Sequence, residues 1–192
     1  MPKVRLDSAA CFLAAAFLLL LPLRWLLAAF LAAAVHELWH IGAIRLTGGD
    51  IREIRIRAGG AVIETSPMEP GRELICALAG PVGGMTLFLF ARWLPCTAVC
   101  ALIQSVYNLL PFFPLDGGRV LRCTLTLLLG ERRGEKAERF FTSGARILLL
   151  SLAVYGTLAW KLGILPVLWA LFFLIRPGMG KIPCKTGRFG LQ

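Results

Sequence analysis

The chain has 192 residues, 57% of them hydrophobic, a formal charge of +10 and a mean hydropathy of +0.73. Soluble domains stay near 45–50% apolar even on a broader count, so this composition excludes an ordinary soluble fold. Basic residues sit in short segments between apolar runs and are not interleaved with aromatics, which excludes nucleic acid as a partner.

The length suits one domain. Residues 1–176 read as a single membrane-embedded domain with its core at about 25–120, followed by a basic cytoplasmic tail over 177–192. The predicted fold class is an all-α polytopic membrane protein of about six transmembrane helices, with a small β-hairpin between the second and third. Six cysteines occur (Cys11, Cys76, Cys96, Cys100, Cys123, Cys184) without a C-x-x-C pair, and they read as reduced, buried side chains with no disulfide framework.

In chain order, a first apolar run over 8–23 follows Lys3 and Arg5. It resembles a signal-peptide core, but cleavage near Ala32–Ala34 would destroy the helix that follows, so it is read as a retained span. Pro22 and Arg24 predict a tight turn into a second span over 25–44. The polar stretch 45–73 holds β-branched residues at Ile51–Arg57 and again at Ala61–Glu64 around Gly59-Gly60, the pattern of a β-hairpin. A third span over 72–93 contains Ala79-Gly80-Pro81-Val82-Gly83-Gly84, which predicts a kink or a close approach of another backbone.

A fourth span starts near Thr97 and reaches Phe113, with prolines and glycines breaking the helix between Asn108 and Gly118. Irregular backbone at membrane depth is tolerated only where protein or a water-filled cavity surrounds it. A short helix is predicted over 120–129, then a charged segment over 130–139, a fifth span over 140–160 and a sixth over 163–175.

Counted between these spans, Lys and Arg number 2, 1, 5, 1, 6, 1 and 4, with Arg146 near a span end left to snorkel. High and low counts alternate. By the positive-inside rule this predicts a multi-pass cell-membrane protein with both termini cytoplasmic.

Within the second span stands His36-Glu37-Leu38-Trp39-His40, an H-E-x-x-H sequence holding the only two histidines of the chain. On a helix, residues four apart stack on one face, so two imidazoles point at one spot with a carboxylate beside them. That is the pattern of a zinc site with Glu37 as general base. Titratable groups in apolar sequence cost roughly 2.5–3.5 kcal/mol each on insertion scales, which argues for a function. His36 lies about 11 residues along its span, roughly 17 Å deep. The break in the fourth span falls at similar depth and carries Asp116.

A catalytic zinc takes three protein ligands and keeps one position open. Without a third histidine, the third ligand is a carboxylate or a thiolate: Asp116 by depth, with Cys76 and Cys123 as competitors. Asp116 also reads as a turn or capping residue before Gly117-Gly118. Asn108 could donate to a developing oxyanion or to substrate backbone; packing or capping would use the same amide. The hairpin could offer an edge strand that holds a substrate extended.

These residues resemble the site-2 protease family of intramembrane zinc metalloproteases. H-E-L-W-H in one span and N-L-L-P-F-F-P-L-D-G-G at 108–118 match the family's two motifs, over about Trp25 to Val120. The resemblance implies zinc held by His36, His40 and Asp116, with Glu37 activating water. The span arrangement is most similar to the stage IV sporulation protein FB subgroup, which implies regulated intramembrane proteolysis of a tethered pro-sigma factor. Trp39 stands where the family often has a small residue, and Gly83-Gly84 where an Asn is frequent.

The function expected is therefore an intramembrane zinc metalloendopeptidase. It would cut a membrane-tethered substrate within or near the bilayer on the cytoplasmic side, with a regulatory membrane partner. An inactive scaffold of the same fold and a membrane metal transporter are the alternatives.

Overall fold

The computed structural model describes residues 3–6, 8, 11, 15, 18–19, 22–57, 60–113, 115–159, 167 and 171. Most of the expected first and sixth spans, and the tail, lie outside the described residues. The chain forms two compact units that part between Asn108 and Leu109.

In the first unit, strand β1 (Lys3–Leu6) precedes helix α1 (Leu23–Leu46), strands β2 (Ile51–Arg57) and β3 (Gly60–Thr65), helix α2 (Pro70–Thr86), a 3-10 turn (Leu87–Phe90) and helix α3 (Pro95–Asn108). α1 begins two residues ahead of the expected span and takes in Arg24, because Pro22 supplies an extended residue ahead of the first turn and its carbonyl accepts from the Trp25 amide at 2.9 Å. It ends in a Schellman motif. Gly48 takes φ 75°, its N–H donates to the Arg45 carbonyl at 3.1 Å, and the Gly49 N–H donates to that of Ile44 at 2.8 Å. The Thr47 hydroxyl donates to the Ala43 carbonyl at 2.8 Å, so the last turn leaves few orphan acceptors.

The buried stripe of α1 is Ala28, Ala32, His36, His40 and Ile44, every fourth residue. That of α3 includes Ala98, Ala101 and Ser105. Small residues on facing stripes let helix backbones approach closely, which is how apolar helices pack when lipid removes the hydrophobic incentive. The Arg24 side chain donates to the Cys96 sulfur at 3.0 Å near the N-terminal ends of α1 and α3. Asn108, at the other end of α3, reaches His36, so the two helices run the same way. Large apolar side chains such as Leu27, Phe30, Leu38, Ile103 and Val106 point outward from this packing.

The hairpin forms as its sequence predicts, with β2 and β3 antiparallel and Arg57 opposite Gly60. The sheet is larger than predicted: β1 adds a third strand, parallel to β2, with Lys3 opposite Glu53 and Leu6 opposite Ile56. A four-residue parallel partner at the chain start carries no turn signal linking it to the hairpin, which is why sequence pattern missed it. Glu53 and Glu64 stand directly opposite, a repulsive arrangement. Arg55 relieves it by donating to Glu53 at 2.8 Å and pairing with Glu64 at 3.4 Å. The hydrogen bond to Glu53, and then the charges of Glu53 and Glu64, raise the Arg55 guanidinium above its ordinary value.

α2 starts with Pro70 at its first position, where the missing N–H costs nothing. Pro81 stays inside the helix. The expected third span is thus one α-helix to Thr86 that tightens into the 3-10 turn.

In the second unit, the break over 109–115 precedes helix α4 (Asp116–Leu129), and Gly130 at φ 78° turns the chain into helix α5 (Glu131–Ala159). The break folds back onto the start of α4. A Cβ on Gly117 would overlap the Leu109 and Leu110 carbonyls, and one on Gly118 would lie 2.6 Å from the Phe113 nitrogen. α4 begins at Asp116 and not at Val120. The charged segment over 130–139 is helical and not a connection: it forms the start of α5, with Arg139 bridging Glu135 one turn away at 2.6 Å. The fourth expected span is likewise shorter as a helix, since α3 has 14 residues and stops at Asn108. Among the described residues, three helices are long and apolar enough to cross a membrane: Leu23–Leu46, Pro70–Phe90 and Glu131–Ala159.

Candidate metal centre

α1 carries His36, Glu37 and His40. Both histidines are buried, at 2% and 5% exposure, and Glu37 is half-buried beside them. The two Nε2 atoms stand 3.1 Å apart with the rings at 80° to each other. Two nitrogens held about 2.0–2.1 Å from one tetrahedral ion would be about 3.3 Å apart. The spacing is thus close to that of an adjacent ligand pair.

The His40 tautomer follows from its partner. Its Nδ1 lies 2.7 Å from the Cys76 carbonyl, which can only accept, so Nδ1 carries the hydrogen and Nε2 keeps its lone pair for a cation. Cys76 is on α2, and its side-chain sulfur is 3.4 Å from the Thr47 hydroxyl. Its backbone, and not its thiol, serves the site.

One turn further along α2, Gly80 faces both rings. A Cβ there would overlap His40 Nε2 and lie 2.7 Å from His36 Nε2, where an ion shared by the two nitrogens would sit. Glycine at 80 therefore leaves the space that the ligand pair needs. The sequence signal was the small-residue run 79–84, which predicted a close backbone approach without saying to what.

Asp116 is the first residue of α4. The N-cap is Leu115, so Asp116 is a first-turn residue and not the cap, and its charge suits the positive end of the helix dipole. His36 and His40 belong to the first unit and Asp116 to the second. Two imidazoles and a carboxylate form a donor set suited to zinc with one position left open. Asn108 ends α3 with its amide nitrogen 3.4 Å from His36 Nε2. That is a loose contact, which keeps the amide at the edge of the site without committing it.

Three comparisons bear on this geometry. A family model described as Peptidase family M50 matches residues 78–152, a stretch that includes Asp116. The zinc metalloprotease MJ0392 of Methanocaldococcus jannaschii is 29% identical over 136 residues, which is 63% of this chain and 40% of that protein. The chain thus spans about two-fifths of the curated relative it matches. The solved structure of a site-2 protease from Methanocaldococcus jannaschii shares the fold with a TM-score of 0.61 at 22% identity, over 88% of this chain and 86% of that one. The chain is thus similar in sequence to peptidase family M50 over residues 78–152 and to a zinc metalloprotease, and it shares the fold of a site-2 protease.

Proposed function

We propose that the chain is an intramembrane zinc metalloendopeptidase. The observation that carries this reading is the paired Nε2 atoms of His36 and His40, 3.1 Å apart over a glycine, with the His40 lone pair freed by the Cys76 carbonyl. His36, His40 and Asp116 would hold zinc. Bound zinc supplies Lewis-acid polarisation of the scissile carbonyl and acidifies water. Glu37 takes the proton of the attacking water and passes it to the leaving amine as the C–N bond breaks. Asn108 donates its amide to the oxygen on which charge develops.

The substrate is a membrane-tethered protein, cut on the cytoplasmic side of a six-span fold with both termini cytoplasmic. A tethered transcription regulator of the pro-sigma type fits the resemblance to the sporulation subgroup, and a regulatory membrane partner would govern access. β3 is an outer strand of the sheet and would hold the unwound substrate extended.

The test is reconstitution in liposomes with a tethered candidate substrate. Wild type is expected to cleave, and chelation to stop it. Glu37→Gln is expected to slow cleavage by about 10²–10⁴ while keeping its zinc. Equal cleavage by wild type and Glu37→Gln would remove the proposed mechanism. Zinc uptake without any cleavage would favour a scaffold or a transporter.

A further inference from the structure

We propose that Trp39 and Gly83 form a positioning pair: the indole seated on Gly83 sets the separation of α1 and α2, and so holds Gly80 and the Cys76 carbonyl against the two histidines. The proposal rests on the metal-centre reading above. Trp39 follows His36 by three residues, so the indole flanks the face that carries the ligands. On α2, Cys76, Gly80 and Gly83 follow at spacings of four and three and line one stripe.

The contacts divide along that stripe. Cys76 accepts from His40 Nδ1 at 2.7 Å. Gly80 meets the Nε2 atoms, and Gly83 meets Trp39. A Cβ on Gly83 would overlap Trp39 Cγ and Cδ1 and lie 2.6 Å from its Cβ. Cγ and Cδ1 turn with the side chain, but Cβ is fixed to the α1 backbone and no rotamer moves it out of the way. Any side chain at 83 must push α2 away from α1, and Gly80 and Cys76 would move with it. The His40 hydrogen bond would lengthen and the imidazole would lose its orientation. Loss of such an outer partner typically costs 10–100-fold in metal affinity. The bulk of Trp39 and the missing side chain at Gly83 are thus one feature.

Trp39 is 44% exposed, so truncating it opens the surface and does not seal a cavity inside the fold. That makes variants at 39 usable. The experiment titrates Co2+ and Zn2+ into the purified full chain in nanodiscs, reading affinity and the Co2+ d–d absorption band. Gly83→Ala is expected to bind Co2+ about tenfold or more weakly, with a changed band. In a Trp39→Ala background the same substitution is expected to cost less than about threefold, because coupled residues are not additive.

Wild-type affinity and band in Gly83→Ala would overturn the pair, as would an undiminished penalty in the Trp39→Ala background. Should Gly83→Ala fail to fold, Trp39→Leu decides: a changed band with weaker binding supports the pair, and an unchanged band overturns it. Wild type that takes up neither ion would sink the metal-centre reading itself, and the pair with it.

Discussion

His40 Nδ1 donates to the Cys76 carbonyl across 2.7 Å, and this one bond decides which nitrogen of the ring faces His36. A histidine in solution exchanges its tautomers freely. Here the carbonyl can only accept, so Nε2 is left with its lone pair, 3.1 Å from the corresponding atom of His36. α2 therefore contributes twice without offering a ligand, through a carbonyl at 76 and the missing side chain at 80.

Gly80→Ala should remove metal binding without altering a ligand. The added Cβ would take the space beside His40 Nε2 and His36 Nε2, so zinc affinity should fall by at least about 10–100-fold. Zinc content by mass spectrometry of the purified variant checks this. Full zinc occupancy would mean that the ion sits elsewhere.

Asp116 should be needed as a carboxylate. Asp116→Asn keeps the shape and the place at the start of α4 but removes the charge; it is expected to lose zinc nearly as fully as Asp116→Ala. Thermal unfolding separates this from a structural role. A first-turn charge is worth about 0.3–1 kcal/mol to a helix, so a larger loss of stability in zinc-free protein would point to structure and not to ligation.

Two glycines of α1 and its end should respond in opposite directions. Gly48 holds φ 75°, where an L-residue pays roughly 1–2 kcal/mol, so Gly48→Ala should destabilise by about that much. Gly42 lies inside the helix, and a Cβ added there would meet nothing within 4 Å, so Gly42→Ala should stabilise by roughly 0.5–1 kcal/mol. Unfolding of both variants in the same detergent provides the comparison.

Arg55 should leave the pH profile alone. Its hydrogen bond to Glu53 and the charges of Glu53 and Glu64 raise its pKa above the usual arginine value. A raised folded pKa gives stability that is complete below the unfolded value and is lost only as pH rises through the folded one. Both lie beyond the alkaline end of any assay. Hydrogen exchange of the hairpin in Arg55→Ala should therefore be faster than in wild type by the same factor at pH 6 and at pH 9. A factor that grew towards pH 9 would contradict this.

The sequence by itself determined the chemistry on offer. A helical period of 3.6 residues places His36 and His40 on one face whatever surrounds them, and the prolines and glycines that follow Asn108 end the helix at the start of the stretch read as its break. It also gave the hairpin, because β-branched residues around a glycine turn are a local signal. Tertiary structure alone decided what stands opposite. No local pattern says that residues 80 and 83 lie against 36, 40 and 39, that a cysteine serves through its backbone, or that the first strand pairs in parallel with the hairpin. Nor does charge alone separate a loop from a helix, which is why the segment 130–139 proved to be the start of α5. Periodicity is a property of one element, whereas a contact is a property of two. The identity of the second partner is set by the packing of surfaces brought together from distant parts of the chain.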